Sequence, residues 1–181
     1  MDYEKIEELL KKACEKLKAE DSYLLKNDLS ERSIVFRFAL YLSDEFKALK
    51  YNVDCEYNRL PVSKQGKFIL SLANKLENLN QLSETERKKL FENPMSDNPL
   101  ISKKVFPDII VHERGNNERN LLIIECKKSS NPEVKDREYD KFKLGRYLKS
   151  DELKYLYGVF IEFIVGDNPD VKFERIEANE L

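Results

Sequence analysis

The chain has 181 residues, of which 36% are charged, and its formal net charge is −2. This length suffices for one domain with a sizeable hydrophobic core. The balanced charge excludes the overall basic field of many nucleic-acid-binding proteins, so a polyanion would have to meet a local basic patch. Cys14, Cys55 and Cys126 are widely spaced without a CxxC pair, which argues against a disulfide framework or a zinc site. No signal peptide or membrane-spanning segment is recognisable, and we expect a cytoplasmic protein with no membrane partner.

Two amphipathic helices are predicted at the N-terminal end. The first covers roughly residues 2–20, because apolar residues recur there at helical spacing (Ile6, Leu9, Leu10, Ala13 and Leu17). Asp28 is expected to be the N-cap of the second helix, with Glu31 three residues later in capping-box register. The buried side of the second helix would carry Val35, Phe38, Ala39, Leu42 and Phe46. A strand over residues 51–59 is expected to follow.

Residues 61–104 are predicted to form a helical insertion within a single domain that spans residues 1–181. One insertion helix would bury Phe68, Leu72, Leu76 and Leu79, and another would start at Ser83. Later in the chain we expect a helix over 135–149, a strand covered on both sides over 155–165 and an edge strand over 171–176. This order predicts an α/β fold with a central mixed β-sheet flanked by helices.

A β-hairpin is predicted between the insertion and the last helix. Residues 105–111 and 121–127 are two apolar runs, and the segment between them is rich in turn-forming residues. We expect residue 113 to pair with residue 120, which fixes the register of the whole hairpin.

The predicted register gathers three charged side chains on one face. Asp108 would lie directly opposite Glu125, with the two β-carbons about 5 Å apart. Lys127 would share that face because side chains alternate along a strand. Carboxylates among apolar residues are costly unless something neutralises them, and a divalent cation is a natural partner. A simple ion pair between Lys127 and one acid is the alternative, although it leaves one negative charge unexplained.

The arrangement of Pro107-Asp108 on one strand and Glu125-Cys126-Lys127 on the next resembles the PD-(D/E)XK nuclease superfamily. That group includes type II restriction endonucleases and archaeal Holliday-junction resolvases. The resemblance covers residues 28–165 without the insertion, and includes the order helix, strand, hairpin, helix, strand. It implies a restriction endonuclease-like core and a nuclease that uses Mg²⁺ or Mn²⁺ to hydrolyse phosphodiester bonds, with DNA favoured over RNA.

The resemblance also implies roles for individual residues. Asp108 and Glu125 would be the metal ligands, joined by the main-chain carbonyl of Cys126. Lys127 would orient the attacking water and stabilise charge on the phosphate. Glu31 resembles an additional acidic residue that many members carry on the helix before the first core strand, although helix capping alone would equally account for it. The chain lacks an obvious target-recognition segment, which argues against sequence-specific cutting.

A locally basic segment follows the hairpin. Residues 127–149 hold eight Lys or Arg and four Asp or Glu, a local charge of +4. Such a helix is usually a solvated face, but Lys143 and Arg146 lie on one side of it, next to the candidate site. We expect both to contact backbone phosphates. Asp140 could instead pair with Lys143 at i,i+3 spacing.

Three functional hypotheses follow from the sequence. The leading hypothesis is a divalent-metal-dependent nuclease, with Asp108, Glu125, Lys127 and Glu31 in its catalytic site. The alternative is a catalytically silent module of the same fold that binds nucleic acid or protein. A third is that residues 61–104 dock a partner protein that selects the substrate. A homodimer is compatible with all three.

Overall fold

The computed structural model describes residues 1–56, 107–132, 134–151 and 153–178. The chain divides into two units, Met1–Tyr57 with Pro107–Leu181, and Asn58–Phe106. The second unit, which contains the predicted insertion at 61–104 and its helices, lies outside the described residues. In the ranges given above, no helix has both the length and the apolar character needed to cross a membrane.

Three helices precede the sheet. They are α1 (Tyr3–Glu20), α2 (Ser22–Lys26) and α3 (Glu31–Lys47). The Asp2 side chain caps α1 by accepting a hydrogen bond from the main-chain N–H of Lys5 (3.0 Å). All the residues predicted for the buried sides of α1 and α3 are buried, which confirms both helices. The short helix α2 was not predicted, because five residues cannot display a helical period.

The start of α3 differs from the prediction. Its N-cap is Ser30, whose hydroxyl accepts a hydrogen bond from the main-chain N–H of Ser33 (3.3 Å). Asp28 instead adopts a φ of 48°, and its carboxylate binds the Lys128 ammonium. The prediction of Asp28 as N-cap is therefore wrong. Glu31 becomes the first residue of the helix, so its side chain is available for contacts outside the helix.

Within the described ranges, the strands form one five-stranded sheet in sequence order. The strands are β1 (Asn52–Cys55), β2 (Ile109–Glu113), β3 (Asn116–Lys128), β4 (Tyr157–Ile164) and β5 (Asp170–Ile176). Strands β3 and β4 are parallel and are linked by α4 (Val134–Leu148), whereas the other neighbours are antiparallel. The predicted mixed sheet, the crossover helix and the edge strand are thus confirmed.

Alternate residues of the strands pack against helices on opposite faces of the sheet. Phe163 of β4 faces α3, where its ring meets Phe38 edge-on with the ring centres 5.8 Å apart. Gly158, of opposite parity on the same strand, faces α4. A β-carbon at Gly158 would lie 3.0 Å from Leu148 Cδ1, so the missing side chain lets α4 lie close against β4. The result is three layers, with α1 and α3 on one face and α4 on the other.

The hairpin of β2 and β3 keeps the predicted register at its open end and loses it near the turn. Ile109 pairs with Ile124, as the predicted register requires. Glu113 pairs with Asn116 instead of residue 120, so that part of the prediction is wrong. The register shifts at the last residues of β2, and the additional β3 residues are absorbed there as an irregularity. A sequence-based pairing rule assumes a regular ladder and does not anticipate such a shift.

Candidate functional site

The three residues singled out by the hairpin register lie at its open end. Asp108 immediately precedes β2, one residue beyond the pair of Ile109 with Ile124, and Glu125 is the corresponding next residue of β3. Asp108 Oδ2 accepts a hydrogen bond from the main-chain N–H of Cys126 (2.7 Å), which ties the two strands together beyond the ladder. Glu125 is almost completely buried, with 1% of its surface exposed.

Helix α4 brings two further charged residues to these strands. Lys143 Nζ lies 3.0 Å from Glu125 Oε2 and 2.6 Å from Asp140 Oδ1. Asp140 Oδ2 in turn lies 3.0 Å from Lys127 Nζ. Asp140 therefore bridges two ammonium groups, one from its own helix and one from β3. The i,i+3 pairing of Asp140 with Lys143 that the sequence offered as an alternative is present in the structure.

Glu31 reaches the site from the opposite side of the sheet. Its Oε2 accepts a hydrogen bond from the main-chain N–H of Lys128 (2.9 Å), and its Oε1 lies 3.9 Å from Lys127 Nζ. The Lys128 ammonium donates to Asp28 Oδ1 (2.7 Å) and to the carbonyl of Leu29 (2.9 Å). These contacts fasten the turn before α3 to the end of β3, and they place Glu31 beside Lys127.

We call these six side chains the charge cluster: Glu31, Asp108, Glu125, Lys127, Asp140 and Lys143. Four carboxylates and two ammonium groups give a net charge of −2 when all are ionised. Glu125 Oε1 is buried and has no hydrogen-bond partner in the part of the chain that the structure describes. A buried carboxylate oxygen in this condition is energetically costly unless a cation or a proton is supplied.

Burial sets the proton affinities of the two hairpin carboxylates. It raises the pKa of Glu125 well above 4.5, with the attraction of Lys143 opposing the rise and the repulsion of Asp108 and Asp140 adding to it. Burial likewise raises the pKa of Asp108 above 3.8, against the hydrogen bond from the Cys126 amide. Ionisation of these two carboxyl groups is therefore unfavourable in the cluster, and a bound cation would make it more favourable.

The two lysines of the cluster remain charged. Burial by itself would lower the pKa of Lys143, but attraction to Glu125 and Asp140 outweighs it and raises the pKa above 10.5. The pKa of Lys127 is also raised, because attraction to Asp140 and Glu31 exceeds the effect of burial. Both side chains are thus ammonium groups at neutral pH, held by carboxylates.

The remaining predicted site residues lie in different surroundings. The Cys126 side chain points into the core on the face of α1 and α3 and is completely buried, so only its main chain adjoins the charge cluster. Lys143 faces carboxylates and is 7% exposed, and Arg146 is half-buried, with its Nε lacking a hydrogen-bond partner among the described residues. Phosphate contact by Lys143 and Arg146 stays a prediction, and in this structure Lys143 is turned towards the carboxylates instead.

Asp140 was missed as a site residue. The sequence shows that it lies three residues before Lys143, but not that this side of α4 faces the sheet. Many other residues of this helix are charged, and the local pattern resembles that of a solvated helix. The signal that was available is the i,i+3 spacing of an acid and an amine directly after a strand that carries two more charged residues.

A second polar cluster occupies the far end of β2. His112 Nε2 lies 2.9 Å from Asp54 Oδ2, and Arg114 Nε donates to the same oxygen at 2.8 Å. This cluster joins β1 to the hairpin turn and is accounted for by its mutual ion pairs.

The donor chemistry of the charge cluster suits a hard divalent cation such as Mg²⁺ or Mn²⁺, since carboxylate and carbonyl oxygens are the ligands these ions prefer. Over the described ranges, no three carboxylate, imidazole or thiol groups converge closely enough to hold a metal ion by themselves. The Lys143 ammonium takes one oxygen of Glu125, and the Cys126 amide takes one oxygen of Asp108. A metal would thus meet two carboxylates that are each already held on one side.

Comparison of the chain with protein-family models, with curated proteins and with solved structures gave no match.

Proposed function

We propose that the protein is a divalent-metal-dependent nuclease of restriction endonuclease-like fold, similar to the PD-(D/E)XK superfamily. It would hydrolyse phosphodiester bonds, with DNA as the favoured substrate. The observation that carries the proposal is the pair of carboxylates of Asp108 and Glu125 at the open end of the hairpin, with a buried Glu125 oxygen that has no partner in the described ranges. The order of helix, strand, hairpin, crossover helix and parallel strand supports the same fold.

Asp108 and Glu125 would hold the metal together with the main-chain carbonyl of Cys126, and Glu31 would be an additional acidic group. When bound, Mg²⁺ would supply a nucleophilic hydroxide at neutral pH and neutralise charge on the phosphate. The fit rests on Glu125 Oε1, which has no partner among the described residues, and on the excess of carboxyl groups over ammonium groups in the charge cluster, which a divalent ion would offset.

Lys127 would act on the phosphate. Its ammonium has three donors, and the contacts to Asp140 at 3.0 Å and Glu31 at 3.9 Å hold it at the end of β3. The side chain is 19% exposed, so one donor can reach a ligand from solvent. A fixed positive charge in a site with little water stabilises the charge that develops on a phosphoryl oxygen.

Cleavage of DNA and RNA substrates in the presence of Mg²⁺ or Mn²⁺ tests the proposal. We expect Lys127→Met to lower the cleavage rate by about 10²-fold or more, because it removes a preorganised charge. Lys141→Met is the matched control, since Lys141 lies on α4 and pairs with Glu174 away from the cluster. The fold of both variants is checked by circular dichroism. Cleavage by Lys127→Met at the wild-type rate would contradict the assignment.

A catalytically silent module that binds nucleic acid or protein is the second candidate. It is favoured by one observation: Lys143 pairs with Glu125 and Lys127 pairs with Asp140, so ammonium groups supply part of the positive charge that these carboxylates need. Calorimetric titration of the wild-type chain with MgCl₂ and MnCl₂ separates the two candidates. Binding of neither ion, together with retained binding of nucleic acid, would favour the module. Deleting residues 61–104 and measuring partner capture and oligomeric state would test the partner protein and the homodimer.

A further inference from the structure

The proposed function gives Asp140 no role and gives Lys143 none at the metal site, although both are buried in the charge cluster. Asp140 has 2% of its surface exposed and Lys143 has 7%. Burying these two charges requires close partners, and the ion pairs of both residues in the described part of the chain lie within this cluster. A pair kept at this cost beside the candidate ligands is well placed to act on them.

Lys143 contacts one of the two carboxylate oxygens of Glu125 and leaves the other without this contact. The ammonium binds Oε2 at 3.0 Å, while Oε1 has no partner among the described residues. A carboxylate held at one oxygen has a fixed orientation, and its other oxygen remains available to a ligand. Lys143 is itself held by Asp140 Oδ1 at 2.6 Å, from one turn earlier on the same helix.

Asp140 extends the same support to Lys127. Its second oxygen, Oδ2, lies 3.0 Å from Lys127 Nζ as an ion pair without hydrogen-bond geometry, so one carboxylate of α4 attracts both ammonium groups. The ring of Tyr139 lies 5.2 Å from Lys143 Nζ and confines that side chain further.

We infer that Asp140 and Lys143 are positioning residues: Lys143 orients Glu125 so that Oε1 can bind the divalent metal, and Asp140 holds both Lys143 and Lys127 in place. The inference rests on the proposed function, because it concerns the same metal site. Under this inference, α4 holds in place the Glu125 side chain that β3 supplies.

A different role for Lys143, competition with the metal, predicts the opposite change in metal affinity. If its ammonium competed with the metal for Glu125, removing it would strengthen metal binding through the loss of a like charge. If it orients Glu125, removing it weakens binding, and loss of such outer-shell partners typically costs about 10- to 100-fold in metal affinity. The sign of the change therefore decides between the two roles.

The experiment measures Mn²⁺ affinity by calorimetry, and DNA cleavage as a function of Mn²⁺ concentration, on the full chain. Lys143→Met should bind Mn²⁺ about 10- to 100-fold more weakly than wild type, while its cleavage rate recovers towards the wild-type value at saturating metal. Asp140→Asn should lose affinity and also remain slow at saturating metal, because Lys127 is no longer held. Lys141→Met, which changes a half-buried lysine of the same helix outside the charge cluster, should match wild type in both measurements.

Unchanged or tighter Mn²⁺ binding by Lys143→Met would overturn the inference, as would a wild-type chain that binds no metal. If Lys143→Met does not fold, Lys143→Leu takes its place, because it likewise removes the donor to Glu125 Oε2, and the same weakening of Mn²⁺ binding is expected. A wild-type chain that binds Mn²⁺ and shows the predicted affinity changes, but cleaves no nucleic acid, would contradict the proposed function and leave the positioning role supported.

Discussion

Arg137 is expected to be one of the most important polar side chains for stability in the described part of the chain. It lies near the start of α4, and its Nε donates to Glu162 Oε1 of β4 at 3.0 Å. Its Nη1 donates to the carbonyl of Asn131 at 2.8 Å and its Nη2 to the carbonyl of Lys128 at 3.0 Å. One guanidinium thus joins the end of β3, the turn after it, α4 and β4.

The expected loss of stability on removing Arg137 follows from the number and the surroundings of these hydrogen bonds. Hydrogen bonds to a charged group contribute about 1.5–3 kcal/mol each, and water recovers part of this where the acceptors become exposed. The Arg137 side chain is 19% exposed, so this recovery is incomplete. We therefore expect Arg137→Met to lower the free energy of unfolding by about 2–4 kcal/mol.

Two further variants show which contacts matter. Arg137→Lys keeps the charge opposite Glu162 but loses the planar fork that reaches several acceptors, so it should retain less than half of the stabilisation. Lys141→Met removes a more exposed ion pair, with Glu174, from the same helix and should cost less than about 1 kcal/mol. Urea unfolding followed by circular dichroism measures all three, with the m value as a check on two-state behaviour.

The results that would refute this reasoning are specific. Wild-type stability in Arg137→Met would show that the carbonyl contacts are replaced by water without loss. Wild-type stability in Arg137→Lys would show that the ion pair with Glu162, rather than the fork, provides the stabilisation.

Two other predictions concern the core and the pH dependence. Phe38→Ala should destabilise the protein by about 3–5 kcal/mol, because it empties a fully buried position against Phe163. Phe36→Ala, at a residue 56% exposed on the same helix, should change stability by less than about 0.5 kcal/mol. Equal losses of stability in urea unfolding would contradict this prediction. The Arg114 guanidinium and, to a smaller extent, His112 hold the pKa of Asp54 below 3.8. The stability that the Asp54 carboxylate contributes is therefore present above pH 3.8 and is lost as the pH falls through the lowered pKa. Asp54→Asn should therefore be less stable than wild type near neutral pH, with a difference that shrinks in acid; a constant difference across a pH series of urea unfolding would argue against it.

The helices and strands of the described region were largely predictable. The helical period of α1 and α3 is strong because each buries one side against the same core, and β4 is an almost unbroken apolar run because both of its faces are covered. The hairpin register was predicted from a pairing of residue 113 with residue 120, and it is correct at Ile109 although that pairing near the turn is not. It failed at Glu113, where the chain is polar and no burial specifies the pairing.

The candidate site was only partly predictable. The positions of Asp108, Glu125 and Lys127 follow from strand alternation, which is local. The contribution of α4 depends on how that helix crosses the sheet, and neither spacing nor composition contains this information. The local +4 charge of 127–149 suggested an outward, phosphate-facing helix, whereas Lys143 points inward to balance carboxylates. A charged residue is buried when its partner comes from another element, and the sequence does not reveal the partner.

The crossover that links the parallel strands β3 and β4 has a consequence for how the charge cluster comes into being. Glu125 and Lys143 are 18 positions apart in the chain and meet only when α4 lies against the sheet. In a hairpin formed alone, Asp108 and Glu125 would face water, where their repulsion is weak and well screened. Dehydration of the carboxylates and arrival of their counter-ions must therefore occur in one step, as the helix docks. Assembly of the charge cluster and docking of α4 on the sheet are in this way the same event.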